Sequence, residues 1–320
     1  MLQKSTTYRP RLLHTSSLAS RCLTTSGWAL GHLMTHRHTH YPAEADIQTR
    51  PDARNADSVT STRRAHIVLP AYNNEASLPC LLDRIDILAA HQPLDVWVID
   101  DGSSDCTAEV ASWGPPSLDV RVVVHDMHLG LGQAVQTGLR SVLATADDDD
   151  VLVVMDAGDT HDPAFIPALV REIAGGADIA ICSRFTEGGD DSTAPWSRRL
   201  LSRGVSRAFR RVAKIDDVRD FTSGYYAYRV SLLRKAVDHW RERLVEEQGS
   251  ACMVELLLKL RRCNPRIAEV PLVLQYDRKQ GASKLRLGSK LRQYSKLVVQ
   301  EAFSAQGPIV DTKMLTSSRP

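Results

Sequence analysis

Residues Val151–Pro163 read VLVVMDAGDTHDP, an apolar run of strand length that ends in Asp156, Asp159, His161 and Asp162 packed within a few positions. Reading outward from this stretch, apolar runs alternate with helical stretches from His66 onward, the pattern of a parallel sheet covered by helices. AHIVLPAY is read as a first strand ending at Pro70, and NNEASLPCLLDRIDILAAH as a helix with Leu78, Leu81, Leu82 and Ile85 on one face. LDVWVIDDGSSD is a second strand breaking into a turn, with a helix beginning at Thr107. VRVVVHD is a third strand and GLGQAVQTGLRSVLATA a helix; VLVVMD is the fourth strand and ADIAICSRF the fifth.

The polar clusters AYNNE, DDGSSD, HLGLGQ and DAGDTHD each follow a strand. In open α/β sheets ligands bind beyond the carboxyl ends of the strands, where turns and helix N-termini converge, so one cleft can collect all four. The acidic run Asp147–Asp150, which precedes the fourth strand, is read as a solvated loop.

The 320 residues are 43% hydrophobic, enough for a sizeable core, and the net charge of +2 selects no class of partner by itself. No nucleic-acid partner is expected. Six cysteines (Cys22, Cys80, Cys106, Cys182, Cys252, Cys263) lie scattered without a C-x-x-C pair, which suits core thiols in a reducing compartment. No window reaches the ~20 uninterrupted apolar residues of a spanning helix. Met1–Ala43 contains no acid and many Ser, Thr, Arg and His, a composition shared by disorder, by a transit peptide and by sequence ahead of an internal start such as Met34. The organisation expected is therefore an N-terminal extension over 1–64, one globular domain over 65–300 and a flexible tail over 301–320.

Each cluster carries a chemistry and a plainer alternative. Asp100 and Asp101 end a strand, where one carboxylate can read the donors of a nucleotide base while the other, or Ser103, caps the next helix. Gly130 and Gly132 permit close backbone approach to a ligand, or simply a turn. Asp156 and Asp159 with His161 suit a hard divalent cation, Mg²⁺ or Mn²⁺, bridging carboxylates to a diphosphate. Against that, Asp159 and Asp162 also suit a turn and an N-cap before Pro163. WSRRLLSRGVSRAFRRVAK places Leu201, Val205, Phe209 and Val212 at helical spacing among Arg199, Arg203, Arg207, Arg211 and Lys214. It reads as a helix on an anionic membrane surface, as a phosphate grip, or as an ordinary basic surface. YDRKQGASKLRLGSKLRQYSK sets Arg278, Lys279, Lys284, Arg286 and Lys290 around Gly281, suited to a loop closing on phosphates.

Together VLPAYNNEASL, VIDDGSSDCT, LGLGQAVQTG, MDAGDTHDP, CSRF, DFTSGYYAYR, VELLLKL, EVPLVL and RKQGASK resemble glycosyltransferase family 2, and within it the polyprenol-phosphate sugar transferases. The resemblance runs from His66 to Lys296 and implies a GT-A fold, a nucleotide-binding α/β domain. It further implies that Pro70, Tyr72, Glu75 and Asp101 hold the nucleotide of a UDP- or GDP-hexose and that Asp156 directs metal and diphosphate. By the same resemblance Arg184, Arg198, Arg199 and Ser202 meet the phosphate of a polyprenyl acceptor, Arg278, Ser283 and Lys284 belong to a closing loop, and Asp220 and Glu255 line the sugar side. The basic helix then becomes a membrane-lying element of a peripheral protein on the cytoplasmic face, with a possible membrane-anchoring partner.

Three positions depart from the family pattern: Gly158 stands at the second Asp of MDADLQHDP, Tyr226 at the Arg of GFRAYR, and His128 at a common Lys. Three functions remain open at this level. Transfer to a lipid phosphate needs no general base, because the phosphate is already ionised. Transfer to a hydroxyl of a soluble metabolite or glycan needs one, for which Asp220 or Glu255 would serve. A binding protein that has lost turnover through Gly158 is the third.

Overall fold

In the computed structural model, which describes residues 11–12, 63–215, 217–276 and 287–303, a single sheet runs in the order β1-β4-β3-β2-β5-β7-β6-β8. The strands are β1 (Arg11–Leu12), β2 (Ala65–Ala71), β3 (Leu94–Asp100), β4 (Val120–Val124), β5 (Val151–Val154), β6 (Ile179–Ser183), β7 (Tyr226–Arg229) and β8 (Ile267–Pro271). All pair in parallel except β7, antiparallel to β5 and β6, and the two-residue β1, antiparallel to β4 at the edge. The five strands read from sequence are present. The parallel pattern breaks at β7, which together with β8 carries no long apolar run to announce it.

Successive strand residues face opposite sides, and both sides are covered, so β2, β3 and β5 are apolar at nearly every position. Ile67, Leu69, Val96 and Val98 pack with Leu78, Leu81, Leu82 and Ile85 of α1 (Leu78–Ala89), with α2 (Thr107–Ser112) and with α4 (Ile166–Ala174). Val68, Trp97 and Ile99 point the other way. They pack on α3 (Leu131–Leu143) and belong to one core with residues of α5 (Trp196–Ala213), α6 (Val230–Trp240), α7 (Cys252–Leu260) and α8 (Leu287–Ala302). Tyr226, at the departure from the family's Arg, is fully buried on this side, where its ring stacks on Tyr228 at 5.9 Å and its hydroxyl donates to the Phe221 carbonyl (3.0 Å). Cys182 and Cys252 are core thiols as expected, but Cys80 is exposed.

The acidic turn before β5 is not wholly solvated. Asp150 accepts from the Asp147 and Arg64 backbone N–H groups (2.9 and 3.1 Å) and bonds His66 Nε2 (3.2 Å), closing the amino end of β2 against β5. Asp147, Asp148 and Asp149 are exposed, as a solvated loop requires.

Chain order reverses between β2 and β5: β3 and β4 lie on one side of β2, and β5 on the other. Loops leaving two such strands diverge to opposite faces of the sheet and open a crevice at their carboxyl ends.

Candidate active site

A cavity of about 370 Å³ occupies that crevice. Pro70 and Val154–Asp156 form its floor at the ends of β2 and β5; Arg184 follows β6, and Thr222–Gly224 lead into β7 at the same edge. Arg198, Leu201 and Ser202 of α5 form one wall, and Lys290 and Tyr294 of α8 another.

Asp156 presents its carboxylate here, where it accepts from the Gly158 N–H and the Thr160 hydroxyl, each at 3.0 Å. Its own backbone N–H donates to Nδ1 of His161 (3.1 Å), whose ring is buried and stacked on Tyr225 at 5.0 Å. Accepting at Nδ1 leaves the proton of the neutral ring on Nε2. Burial pushes the His161 pKa down from 6.5 to about 4, despite the nearby Asp156 charge. The folded value lies below the unfolded one, so the stability His161 contributes is complete above pH 6.5 and is lost as pH falls toward 4. The full swing is about 3 kcal/mol. Urea unfolding of the wild type should show this acid loss, and His161→Gln, which cannot take the proton, should flatten it.

Asp159 does not join Asp156. It adopts φ +61° and forms an ion pair with Arg84 of α1, which also faces Asp162 at 3.6 Å. Asp162 caps the short helix after it by accepting from Ala164 N–H (3.0 Å). The turn-and-cap alternative therefore describes both acids, and the pair expected to share a metal is separated. The donor set that remains fits a cation held mostly by the substrate: Asp156 supplies one carboxylate, and Mg²⁺ commonly completes its shell with phosphates and water. No cluster of three or more potential ligating side chains exists among the described residues.

The loops expected to hold the nucleotide are knitted to one another. Asp100 accepts from Ser103 N–H (3.1 Å) and from its hydroxyl, while burial raises its carboxyl above the usual range. Glu75 accepts from Cys106 N–H at the head of α2 (2.9 Å), and Asn73 exchanges bonds with Ser103 and Ser104. Asp101 is the most engaged. Its carboxylate takes Leu129 N–H (2.9 Å), Gly130 N–H (2.7 Å), His125 Nδ1 (2.8 Å) and His128 Nδ1 (2.8 Å). A carboxylate so occupied holds the loop in shape and has its acceptor capacity taken up by the protein, which leaves little for reading a base. The half-exposed Tyr72 ring lies tilted by 31° against that of His128, with 4.0 Å between ring centres, beside it.

Gly130 and Gly132 are required by the chain's own conformation and packing. Gly130 has φ +96°, and a Cβ on Gly132 would stand 1.9 Å from the Glu247 carbonyl oxygen. Glu255, expected on the sugar side, is what holds that opposing segment: it accepts from Glu246 and Glu247 N–H (2.9 and 2.8 Å), pairs with Lys259 (2.7 Å), and is absent from the cavity lining. Gly132→Ala should cost about 3 kcal/mol, read as a lowered unfolding midpoint, because backbone rather than a movable side chain has to yield.

The arginines divide by partner. Arg184 lines the cavity, but its guanidinium grips Asp220 through Nε and Nη2, both at 2.7 Å, with the pair 4% and 0% exposed. Burial works against the Arg184 charge, and Asp220 more than offsets it, raising the pKa. Arg199 and Arg203 both bond the buried Asp191 (3.2 and 2.8 Å), and Arg199 lies off the cavity lining. Arg198 faces the cavity with its guanidinium carbon 5.0 Å from the centre of the Tyr276 ring. The inner stripe of α5 is Ser202, Val205, Ser206, Phe209 and Ala213, shifted from the expected one by small residues that let the helix sit close. Arg278, Ser283 and Lys284 lie outside the described residues. Tyr294, which lines the cavity, and Tyr276, which meets it only through Arg198, were not legible in the sequence, since a single tyrosine in a basic stretch carries no spacing signal.

The sequence pattern of Glycosyl transferase family 2 matches residues 66–237, more than half of the chain. The chain belongs to that family. This glycosyltransferase is 34% identical over 224 residues to dolichol-phosphate mannosyltransferase of Pyrococcus furiosus, a match covering 70% of this chain and 59% of that longer protein. It is 32% identical over 240 residues to polyprenol monophosphomannose synthase of Mycolicibacterium smegmatis, covering 74% of this chain and 86% of the relative. Among solved structures it resembles glucosyl-3-phosphoglycerate synthase of Mycobacterium tuberculosis with Mn²⁺ and UDP-glucose: TM-score 0.55, 25% identity, 76% of this chain and 80% of that one. The glycosyltransferase thus has the GT-A fold.

Proposed function

We propose that this glycosyltransferase transfers a hexose from a UDP- or GDP-sugar to a polyprenyl phosphate at a membrane surface, with mannose the first sugar to test because both relatives carry it in their names. An oxygen of the lipid phosphate attacks the anomeric carbon from the face opposite the nucleotide. The bond to the diphosphate breaks, the nucleoside diphosphate leaves with the electron pair, and the anomeric configuration inverts. Mg²⁺ or Mn²⁺ held against Asp156 would neutralise the departing diphosphate.

The observation that carries this reading is the state of the carboxylates. A hydroxyl acceptor requires a base within hydrogen-bond reach, and both candidates are engaged elsewhere, Asp220 with Arg184 and Glu255 with the 246–247 backbone. A phosphate acceptor needs cations that position it instead, and Arg198 faces the cavity beside Lys290. The membrane surface is supported by α5, which exposes Trp196 (75%) and Leu200 (64%) ahead of Arg203, Arg207 and Arg211, and by exposed Leu291, Val299 and Phe303 on and just beyond α8. No helix among the described residues is long and apolar enough to cross a membrane.

The test is release of nucleoside diphosphate from GDP- and UDP-hexoses by the full chain with Mg²⁺ or Mn²⁺, with and without a short polyprenyl phosphate. Sugar recovered on the lipid phosphate is expected. Sugar recovered on soluble hydroxyl acceptors, with no stimulation by lipid phosphate, would replace this reading.

A further inference from the structure

We propose that Tyr276 is a positioning residue for the acceptor phosphate, acting through Arg198; the inference rests on the phosphate-acceptor reading above. Four arginines gather at this end of the site, and three have a carboxylate partner: Arg184 pairs with Asp220, while Arg199 and Arg203 share the single charge of Asp191. Arg198 forms no ion pair with a carboxylate among the described residues; it lies over the face of Tyr276 at 5.0 Å instead. The difference is chemical. A carboxylate cancels the charge of a guanidinium and takes its N–H donors, whereas an aromatic face attracts the cation through the ring quadrupole and leaves the in-plane donors free. Those donors match the oxygens of a phosphate, which an arginine can bind in bidentate fashion. Tyr276 thus fixes the direction of Arg198 without quenching it.

The ring is held firmly enough to do this. Tyr276 lies on the segment after β8, where Leu274 N–H donates to the Asp190 carbonyl (3.0 Å) and Tyr276 N–H donates to the Thr193 hydroxyl (3.2 Å). Thr193 stands three residues before α5 begins, so the segment bearing the ring and the helix bearing Arg198 share one anchor. The ring face, and not the hydroxyl, is the active element.

The experiment is steady-state kinetics of the full chain with a short polyprenyl phosphate, backed by direct titration of that lipid phosphate into each variant. Tyr276→Leu is expected to raise the acceptor KM about tenfold, with donor KM unchanged and kcat within about twofold. Tyr276→Phe should restore wild-type values, and Tyr276→Leu should add nothing in an Arg198→Ala background. Should Leu lower the melting temperature, Tyr276→Met takes its place. An unchanged acceptor KM in Tyr276→Leu, a Phe variant as impaired as Leu, or full additivity with Arg198→Ala would each overturn the inference while leaving the proposed function standing. Arg198→Ala with an unchanged acceptor KM and unchanged lipid-phosphate binding would remove both the inference and the acceptor role of Arg198.

Discussion

Asp220→Asn is expected to lower folding stability by about 3–5 kcal/mol, and activity is expected to fall because the site loses its shape. The Asp220 carboxylate is fully buried and accepts from Arg184 Nε, Nη2 and backbone N–H, and from Thr222 N–H. An asparagine keeps one acceptor but turns an amide N–H₂ toward a guanidinium and leaves that charge uncompensated away from water. Removing one partner of a buried pair is far costlier than replacing both with apolar groups. Denaturant unfolding of Asp220→Asn and Arg184→Ala should therefore give losses of similar size, with the double variant much less destabilised than their sum. If Asp220→Asn keeps its stability and donor binding yet loses turnover, Asp220 is acting as a base, and a hydroxyl acceptor returns as the better reading.

Asp156→Asn should behave in the opposite way, with turnover reduced about 10²–10³-fold and stability changed by less than about 1 kcal/mol. Asp156 is exposed in the cavity, and the bonds it accepts come from Gly158 N–H and the Thr160 hydroxyl, which an amide oxygen can still take in part. On the proposed reading, what is lost is negative charge facing the diphosphate and its cation. Transfer rate at saturating donor, followed across a Mn²⁺ titration, measures it; near-wild-type turnover would show that the departing diphosphate is stabilised elsewhere. Gly158→Asp probes the same point from the other side. A Cβ at Gly158 would stand 3.2 Å from one Asp156 carboxylate oxygen and 3.3 Å from the other, so a second carboxylate would join the first. Its apparent Mn²⁺ affinity should rise, at the expense of metal-free stability through like-charge repulsion.

The sequence by itself determined the sheet-and-helix alternation and the edge of the sheet where the cavity lies; of the four polar clusters expected to share one cleft, only DAGDTHD places polar side chains, Asp156, Thr160 and His161, in its lining. Those features are local: an apolar run such as Val151–Val154 makes a strand wherever helices cover both its faces, and the turn after it lies at the carboxyl end. The basic, amphipathic character of α5 was legible for the same reason. Only the tertiary structure decided what each polar side chain does, because a carboxylate or guanidinium is defined by what it meets across the fold. Asp159 meets Arg84, 75 residues away in the chain; Asp101 meets the backbone at Leu129 and Gly130; Gly132 is needed for the Glu247 carbonyl. Arg198, Arg199 and Arg203 are indistinguishable as spaced cations on one helix, yet Asp191 takes two of them and Tyr276 the third, and that choice leaves the guanidinium facing the cavity without a carboxylate partner among the described residues.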